Sequence, residues 1–413
     1  MAARTIIHIG LPKTGTTYLQ TAMWSHRRDL RERGWLYPGG DRMHHFHLAR
    51  SVAGDRGEKS RRLHHELVAA AREWDGTALL SHEFLCRATA AQAAALLDEL
   101  GPTEVTVVVT ARDYERQFAA VWQEALKMGN APGLGRFMDA LLAPGHQEEV
   151  RRAHEQDAVS GSGVRQAWGW STQDLAAVMQ RWTAAAGTDR VRLVTVPQPG
   201  APRTLLWDRW CAVTGLDDSD LDLRTATANE SLGAVQAALL THVVPQLTDE
   251  FSDATVRHRW LRQYLGHTVL VPQGGERIGL AERHSATLAE RSDALLEELR
   301  AAAYDVTGDL EELRPVHRSD LRDPDTVGEG EALAAAAQAI EQMVRDVRDT
   351  TYRAREARAE ATAAHEALAA VPPPPPPSLP RRLASRVRRR VASGATTGSK
   401  SGSTTGSTTG GSR

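Results

Sequence analysis

This chain is poor in the features that staple, span or steer a protein. It has two cysteines, Cys86 and Cys211, in 413 residues. That is too few for a disulfide framework or a cysteine-based metal cluster, and it fits a reducing compartment. No run reaches the roughly 18 apolar residues that a membrane helix needs. Positive and negative side chains nearly cancel, at a net charge of -2, so the overall field points to no nucleic-acid partner. The opening MAARTIIHIG carries too short an apolar run for a signal peptide. A cytoplasmic protein is therefore expected, with a peripheral position at the inner membrane surface as the one variant that a basic segment near the end supports.

What is present reads as alternating strands and helices. Ile6, Ile7 and Ile9 crowd together before Gly10 and predict a strand over 4–11. A helix from Thr16 to about Glu32 follows, ended by Gly34. TALL (77–80) and EVTVVVTARD (104–113) predict two more strands. The second lacks any alternation, as a strand buried on both faces does. A helix over 114–128, an alanine-rich helix over 172–186 and a strand over 189–196 complete the pattern, which predicts an α/β fold with a parallel sheet covered on both sides. Residues 229–304 read as mostly helical, and the Gly and Asp residues of AAAYDVTGDLEELRP (301–315) read as a boundary turn. Trp122, Trp168, Trp170, Trp182, Trp207 and Trp210 are expected mostly in packing.

The expected organisation is a 1–326 α/β domain, a 327–371 helical extension, a 372–380 polyproline linker and a 381–413 tail, basic at first and then Ser/Thr/Gly-rich. The extension has high helix propensity and would run roughly 60 Å at 1.5 Å per residue. Leu333, Ile340, Met343, Val344 and Val347 mark an apolar stripe along it, which makes self-association through 330–350 one expectation and a solvated extension the plainer one. Pro372 to Pro377 predict a polyproline II spacer. The cluster RRLASRVRRR (381–390) suits weak contact with an anionic membrane, although a solubilising tail explains it as well, and the remainder has the composition of disorder.

The stretch HIGLPKTGTTYLQ (8–20) carries the chemistry. A loop between a buried strand and a helix N-terminus is an anion cradle, because unpaired N–H groups and the helix dipole face the same point. Gly10 and Gly15 let the backbone approach closely, Lys13 supplies a charge, and Thr14, Thr16 and Thr17 supply hydroxyls. The nucleotide-triphosphate pattern GxxxxGK[ST] is not matched, since the lysine precedes the second glycine. A clear carboxylate for magnesium is also missing: Asp113 is the one candidate, and Arg112 stands beside it. Arg112 itself ends a buried strand on the edge where parallel sheets bind ligands, and its planar fork suits a second phosphate. The pattern suggests a ligand with two separated phosphates and no metal requirement.

At this point the residues resemble a known family. GLPKTGTTYLQ (10–20) is similar to the 5′-phosphosulfate loop of the sulfotransferases that use 3′-phosphoadenylyl sulfate, and TARDYERQFAAVWQE (110–124) resembles their 3′-phosphate signature. GWLYPG (34–39), VPQPGAP (196–202), LLWDRW (205–210), NESLG (229–233) and YDVTGDLEEL (304–313) look like elements of a bacterial branch. The resemblance covers roughly residues 4–315 and implies a three-layer, P-loop-NTPase-like fold. It implies that Lys13 contacts the transferred sulfuryl group and the bridging oxygen. Pro12, Thr14, Gly15, Thr16 and Thr17 then surround the 5′-phosphate, and Arg112 holds the 3′-phosphate. The family usually has a serine where this chain has Ala120, and Gln117 or Gln123 is the candidate replacement.

The implied reaction moves a sulfuryl group onto a hydroxyl of a carbohydrate, lipid or small-molecule acceptor, with 3′-phosphoadenylyl sulfate as cosubstrate and no metal. An acceptor hydroxyl needs a base within reach. GGDRMHHFHLA (39–49) offers His45 and His47 beside Asp41 and His44, and LLSHEFL (79–85) offers His82 and Glu83 past the second strand. A histidine serves with little tuning, whereas Glu83 is equally expected as a helix cap or an arginine partner. Three histidines so close together also have a zinc reading, which lacks accompanying ligands at the right spacing. Arg165 and Asn229 read as a solvated loop arginine and a helix cap. Two other functions stay open: a magnesium-dependent P-loop kinase of small molecules, and a non-catalytic scaffold of the same fold, which Ala120 favours and the intact PKTGTT disfavours.

Overall fold

The structure is a computed structural model that describes residues 4–130, 132–156, 169–218, 221, 231–316, 318 and 320–370. By proximity, residues up to Arg345 form one compact unit and those from Asp346 a second. Eight strands occur among the described residues: Arg4–His8 (β1), Trp35–Leu36 (β2), Thr77–Ser81 (β3), Glu104–Ala111 (β4), Val191–Thr195 (β5), Arg277–Ile278 (β6), Asp305–Thr307 (β7) and Leu321–Arg322 (β8). Six make one parallel sheet in the order β2-β3-β1-β4-β5-β7, while β6 and β8 pair separately. This is the α/β architecture that the sequence pattern predicts.

The lack of alternation in β4 follows from burial on both sides. Val107 and Val109 pack with Ile7 and Ile9 in one core layer. Val108 packs with Ile6 and Leu79 in the other. The helices Thr16–Ser25 (α1) and Arg27–Glu32 (α2) cover the second layer together with helix Leu205–Thr214, whose Trp207 and Trp210 are fully buried. Met43–Val52 (α3), Glu58–Arg72 (α4), Ala90–Leu100 (α5) and Tyr114–Lys127 (α6) cover the first, with helices Leu175–Ala186 and Glu282–Ala301. Trp122, Trp170 and Trp182 lie in that layer; Trp168 falls outside the described residues.

Sheet order locates the site. The chain runs from β1 to the edge strand β2, comes back through β3, and then places β4 on the other side of β1. Parallel sheets bind ligands in the crevice at such a reversal, beyond the carboxyl ends of the strands. The register sets His8 of β1 beside Ser81 of β3 and Val108 of β4. The 9–15 loop and Arg112 therefore leave the sheet on the same edge.

Several boundaries differ from the sequence reading. The single helix over 16–32 is two, because His26 leaves the helical region at ψ 12°. The predicted turn in 301–315 contains the edge strand β7. Three residues are too few to show a period, and the strand is held by pairing with β5 and by an Arg192–Asp305 ion pair of 2.6 Å. Residues Arg257–Leu270 form a π-helix, which no pattern in the sequence announces. The long helix Glu329–Ala369 is present. Its early turns belong to the first unit, where Ala335 and Ala339 are buried, while Leu333, Ile340, Val344 and Val347 of the apolar stripe are exposed. The polyproline, basic and Ser/Thr/Gly-rich segments, along with Arg165 and Asn229, lie outside the described residues.

Candidate active site

The loop after β1 is held from below by a row of polar side chains that crosses three strands. Ser81 Oγ lies 2.8 Å from His8 Nδ1, His8 Nε2 lies 3.4 Å from Thr110 Oγ1, and Thr110 Oγ1 lies 2.9 Å from Thr14 Oγ1. Thr14 donates to the Leu11 carbonyl at 2.6 Å. Thr14 is fully buried, and its hydroxyl and its amide both donate to the Leu11 carbonyl, so it braces the loop. Burial, opposed by Glu83 and aided by His82, lowers the His8 pKa to about 4. A neutral imidazole in the row therefore needs no counter-charge. The sequence reading passed over His8, although a histidine inside IIHIG was the signal: a polar side chain in a doubly buried strand must find partners.

Two residues of the loop adopt left-handed backbone, Lys13 at φ 71° and Gly15 at φ 81°. For lysine that conformation is uncommon and marks a position imposed by its surroundings. Space forbids side chains at the glycines. A Cβ on Gly10 would lie 2.0 Å from Thr110 Oγ1, and one on Gly15 would lie 2.5 Å from Leu206 Cδ2. Gly15 precedes α1, which has no side-chain cap. Among the described residues the amides of Gly15, Thr16 and Thr17 meet no acceptor, as first-turn amides do unless something outside the helix supplies one. Thr17 is exposed and Thr16 buried, with Thr16 Oγ1 donating to Glu83 Oε2 at 3.4 Å.

Arg112 follows β4 and donates from Nη1 to the Lys13 carbonyl at 3.3 Å. Its Nε is buried with no partner among the described residues, and so is Nη2 of Arg116 one turn on. Burial and then Arg116, against Asp113, bring the Arg112 pKa down to about 10, which leaves it charged at neutral pH. Asp113 is buried, accepts from the Arg116 amide at 2.9 Å and pairs with its guanidinium. It is the cap of α6. Gln117 is also buried; its amide donates to the Pro12 carbonyl at 3.4 Å and to Gln173. It supports the loop from beneath, while Gln123 and Ala120 face the open side.

Lys13, Gly15, Thr16, Thr17, Arg112, Arg116 and Gln123 line an open cleft of about 3020 Å³, well beyond the roughly 300–1,000 Å³ of a single small-ligand pocket. It has room for two substrates. Arginines and lysines on its walls outnumber carboxylates by more than two to one, so it suits anions. Within it Lys13 is not free. Its Nζ lies 2.7 Å from Oε2 of the buried Glu124, which also takes Lys127 at 3.4 Å and Arg262 of the π-helix. Burial pushes the Glu124 carboxyl up, yet Lys13, Lys127 and Arg262 together hold it well below its usual range. Burial, partly offset by Glu124, lowers Lys127 to about 8. Three cations thus share one carboxylate, and an arriving anion competes with Glu124 for Lys13. The spacing of Glu124 and Lys127 on one face of α6 was visible in the sequence; nothing there indicated Arg262.

The four candidate bases separate clearly. His45 is buried and uses both ring nitrogens, with Nε2 2.9 Å from the Pro38 carbonyl and Nδ1 accepting from the Ser81 amide at 3.3 Å. Burial, opposed by the Pro38 bond, lowers it to about 4. His47 bonds Ser60 at 3.1 Å and is absent from the cleft wall. His82 and Glu83 both line the cleft. His82 Nδ1 accepts from the Phe84 amide at 3.1 Å, so in the neutral ring the proton sits on Nε2, which can act as a donor. For Glu83, burial acts upward but is outweighed by His82, its own amide, Lys13 and His8, so the carboxyl titrates below its usual range. It is an acceptor at neutral pH.

Three of the remaining segments meet beyond β5. Arg209 of LLWDRW pairs with Glu312 of YDVTGDLEEL at 2.5 Å, Thr195 donates to the same carboxylate, and Gln198 of VPQPGAP donates to the Glu312 carbonyl at 2.7 Å. The arrangement fixes the 196–202 loop, which forms another wall of the cleft. Among the described residues no three His, Cys, Asp or Glu side chains are grouped as metal ligands, and no helix is long and apolar enough to cross a membrane.

No family model matches this chain. No curated protein matches it either. Among solved structures it is similar to a sulfotransferase from Alicyclobacillus acidocaldarius, at 14% identity and a TM-score of 0.36, over 63% of this chain and 96% of that one. A likeness of that extent leaves the family of this chain unassigned.

Proposed function

We propose that this protein is a sulfotransferase, taking the sulfuryl group of 3′-phosphoadenylyl sulfate and passing it to a hydroxyl of a carbohydrate, lipid or small-molecule acceptor. The observation that carries the reading is the cradle at the β1–α1 junction. The amides of Gly15, Thr16 and Thr17 meet no acceptor among the described residues, Lys13 lines the same cleft, and Arg112, whose Nε is unpartnered among those residues, bonds the Lys13 carbonyl. One anion at the helix N-terminus and a second at the Arg112–Arg116 pair fit a nucleotide with separated 5′ and 3′ phosphates. The resemblance of the 10–20 and 110–124 segments to the family's two signatures supports the same ligand.

In the reaction the acceptor oxygen forms a bond to sulfur while the bond from sulfur to the bridging oxygen breaks. The electron pair stays on the 5′-phosphate of the departing adenosine 3′,5′-bisphosphate. Lys13, released from Glu124, neutralises that oxygen as charge develops, and the amides of the cradle hold the phosphate in line. Glu83 takes the acceptor's proton. It is ionised, lines the cleft and reaches the Thr16 hydroxyl at the edge of the cradle. His82 offers its Nε2 proton to the acceptor or the sulfuryl oxygens. His45 acts through the fold, fixing α3 to β3.

The test is transfer itself. Protein incubated with donor labelled in the sulfuryl group, against a panel of hydroxylated sugars, lipids and phenols, is expected to give labelled product that disappears with Lys13→Ala. Absence of transfer across the panel, together with magnesium-dependent phosphoryl transfer from ATP, would replace this reading with the kinase.

A further inference from the structure

One end of the cleft has a composition that the reaction as proposed does not require. Helix α3 buries His45, Leu48, Ala49 and Val52 and turns Met43, Phe46 and Arg50 into the cleft, at the spacing that places residues on one helical face. Opposite them is the short turn Glu83–Arg87 that follows β3. The rings of Phe46, His82 and Phe84 form a triangle with centroids 5.4, 6.0 and 5.4 Å apart. All three line the cleft, and Glu83, the proposed base, lies between two of them in sequence. Met43 is 54% exposed on the same wall.

Cations frame this apolar surface. The Arg50 guanidinium lies 5.7 Å over the Phe46 ring and pairs with Asp55 at 2.9 Å. Arg42 reaches Thr21 and Arg87 lines the cleft, neither with a carboxylate partner among the described residues. Apart from Glu83, Asp55 is the acidic side chain at this end of the wall, and it is already engaged by Arg50, Ser60 and the Gly57 amide. A surface of half-buried rings beside uncompensated guanidinium groups stacks a flat ring face and attracts a negative charge.

We infer that this end is the acceptor subsite and that it takes a hydroxyl-bearing ring carrying its own carboxylate. The inference rests on the sulfotransferase reading and narrows it. The ring lies against Phe46 and Phe84, the carboxylate is held by Arg87 with Arg42, and the hydroxyl is directed at Glu83. An aromatic acid and a sugar acid share this chemistry. They differ in ring type, and two pairs of probes separate them.

The experiment uses the full chain saturated with adenosine 3′,5′-bisphosphate, so that no turnover is needed. Binding of 4-hydroxyphenylacetate is compared with that of 4-hydroxyphenylacetamide, and binding of methyl glucuronide with that of methyl glucoside, by calorimetry or ligand-observed NMR. At least one charged probe is expected to bind ten-fold or more tightly than its neutral twin. Arg87→Gln is expected to abolish that difference, and Phe46→Ala to weaken both members of the favoured pair. The preferred pair identifies the ring type. Neutral probes binding as well as charged ones, or a charge preference that survives both Arg87→Gln and Arg42→Gln, would overturn the inference. Binding of the bisphosphate by itself, measured first, reports separately on the sulfotransferase reading. If the bisphosphate fails to bind, that reading falls and the subsite assignment falls with it.

Discussion

At the loop end of the cleft the polar side chains are tied to one another through the sheet, whereas at the α3 end the links are local, from Arg50 through Asp55 to Ser60 and from Arg42 to Thr21. Ser81, His8, Thr110 and Thr14 form a continuous row beneath the cradle, and Gln117 closes it from α6. Across the cleft Arg42, Arg50 and Met43 are exposed, and Arg87 is without a carboxylate partner among the described residues. On the proposed function, the difference follows from what each end would do. A phosphosulfate group has fixed geometry and repays a site that is preorganised before it arrives. A surface that meets acceptors needs contact and charge more than fixed position.

The contrast can be broken most directly at the loop. Gly10→Val places a branched side chain where even a Cβ is 2.0 Å from Thr110 Oγ1. This variant is expected to lose nucleotide binding entirely and several degrees or more of melting temperature, read by calorimetry and thermal unfolding. Retained binding would mean that the row beneath the loop is not what shapes it. Next in size is Glu83→Gln, expected to lower turnover about 100-fold or more while bisphosphate affinity stays within two-fold. Equal loss of affinity would make Glu83 a structural partner of Thr16 and return the base to His82.

A third variant sharpens the comparison by acting between the ends. Glu124→Gln removes the carboxylate that holds Lys13, Lys127 and Arg262. Affinity for the bisphosphate is expected to rise several-fold, since Lys13 no longer has a competing partner. Stability is expected to fall by about 3 kcal/mol, because the buried Lys127 loses its counter-ion. A drop in affinity would show that Glu124 positions Lys13 instead of competing for it.

The smallest effect is on pH dependence and belongs to the tied end. Burial is the largest influence on both His8 and His45 and lowers each to about 4, against about 6.5 for an unfolded histidine. Between those values the unfolded chain binds protons that the folded chain refuses. The stability these groups allow is complete above about pH 6.5 and declines as pH falls toward 4. From pH 7 to pH 6 the loss is about 0.7 kcal/mol per histidine. Urea midpoints across this range should shift accordingly, and His45→Gln should remove its share of the slope. A flat profile would mean that these rings are not held neutral.

The same contrast governs what the sequence disclosed. Residues on the sheet edge were legible because strand and helix periods fix where a loop emerges: the cradle at 9–15, and Arg112 after an unalternating strand, follow from patterns of neighbours. The row through His8 was legible in principle, as a lone polar residue among isoleucines. The roles of Thr14 and Gln117 were not, because a type and a position say nothing of which way a hydroxyl or amide turns. His45, His47, His82 and Glu83 looked alike as candidates, and their hydrogen bonds separated them. Arg262, which joins the Lys13 cluster from more than a hundred residues away, and the edge strand β7, three residues long, depend on tertiary contacts that no local period records.

The claim on which the rest depends is that the β1–α1 loop and Arg112 hold a nucleotide with separated phosphates. It is tested most directly by isothermal calorimetry with adenosine 3′,5′-bisphosphate in the absence of magnesium, beside Lys13→Ala. Micromolar or tighter binding is expected, weakened at least ten-fold by the substitution. No binding of the bisphosphate, with magnesium-dependent binding of ATP in its place, would contradict it.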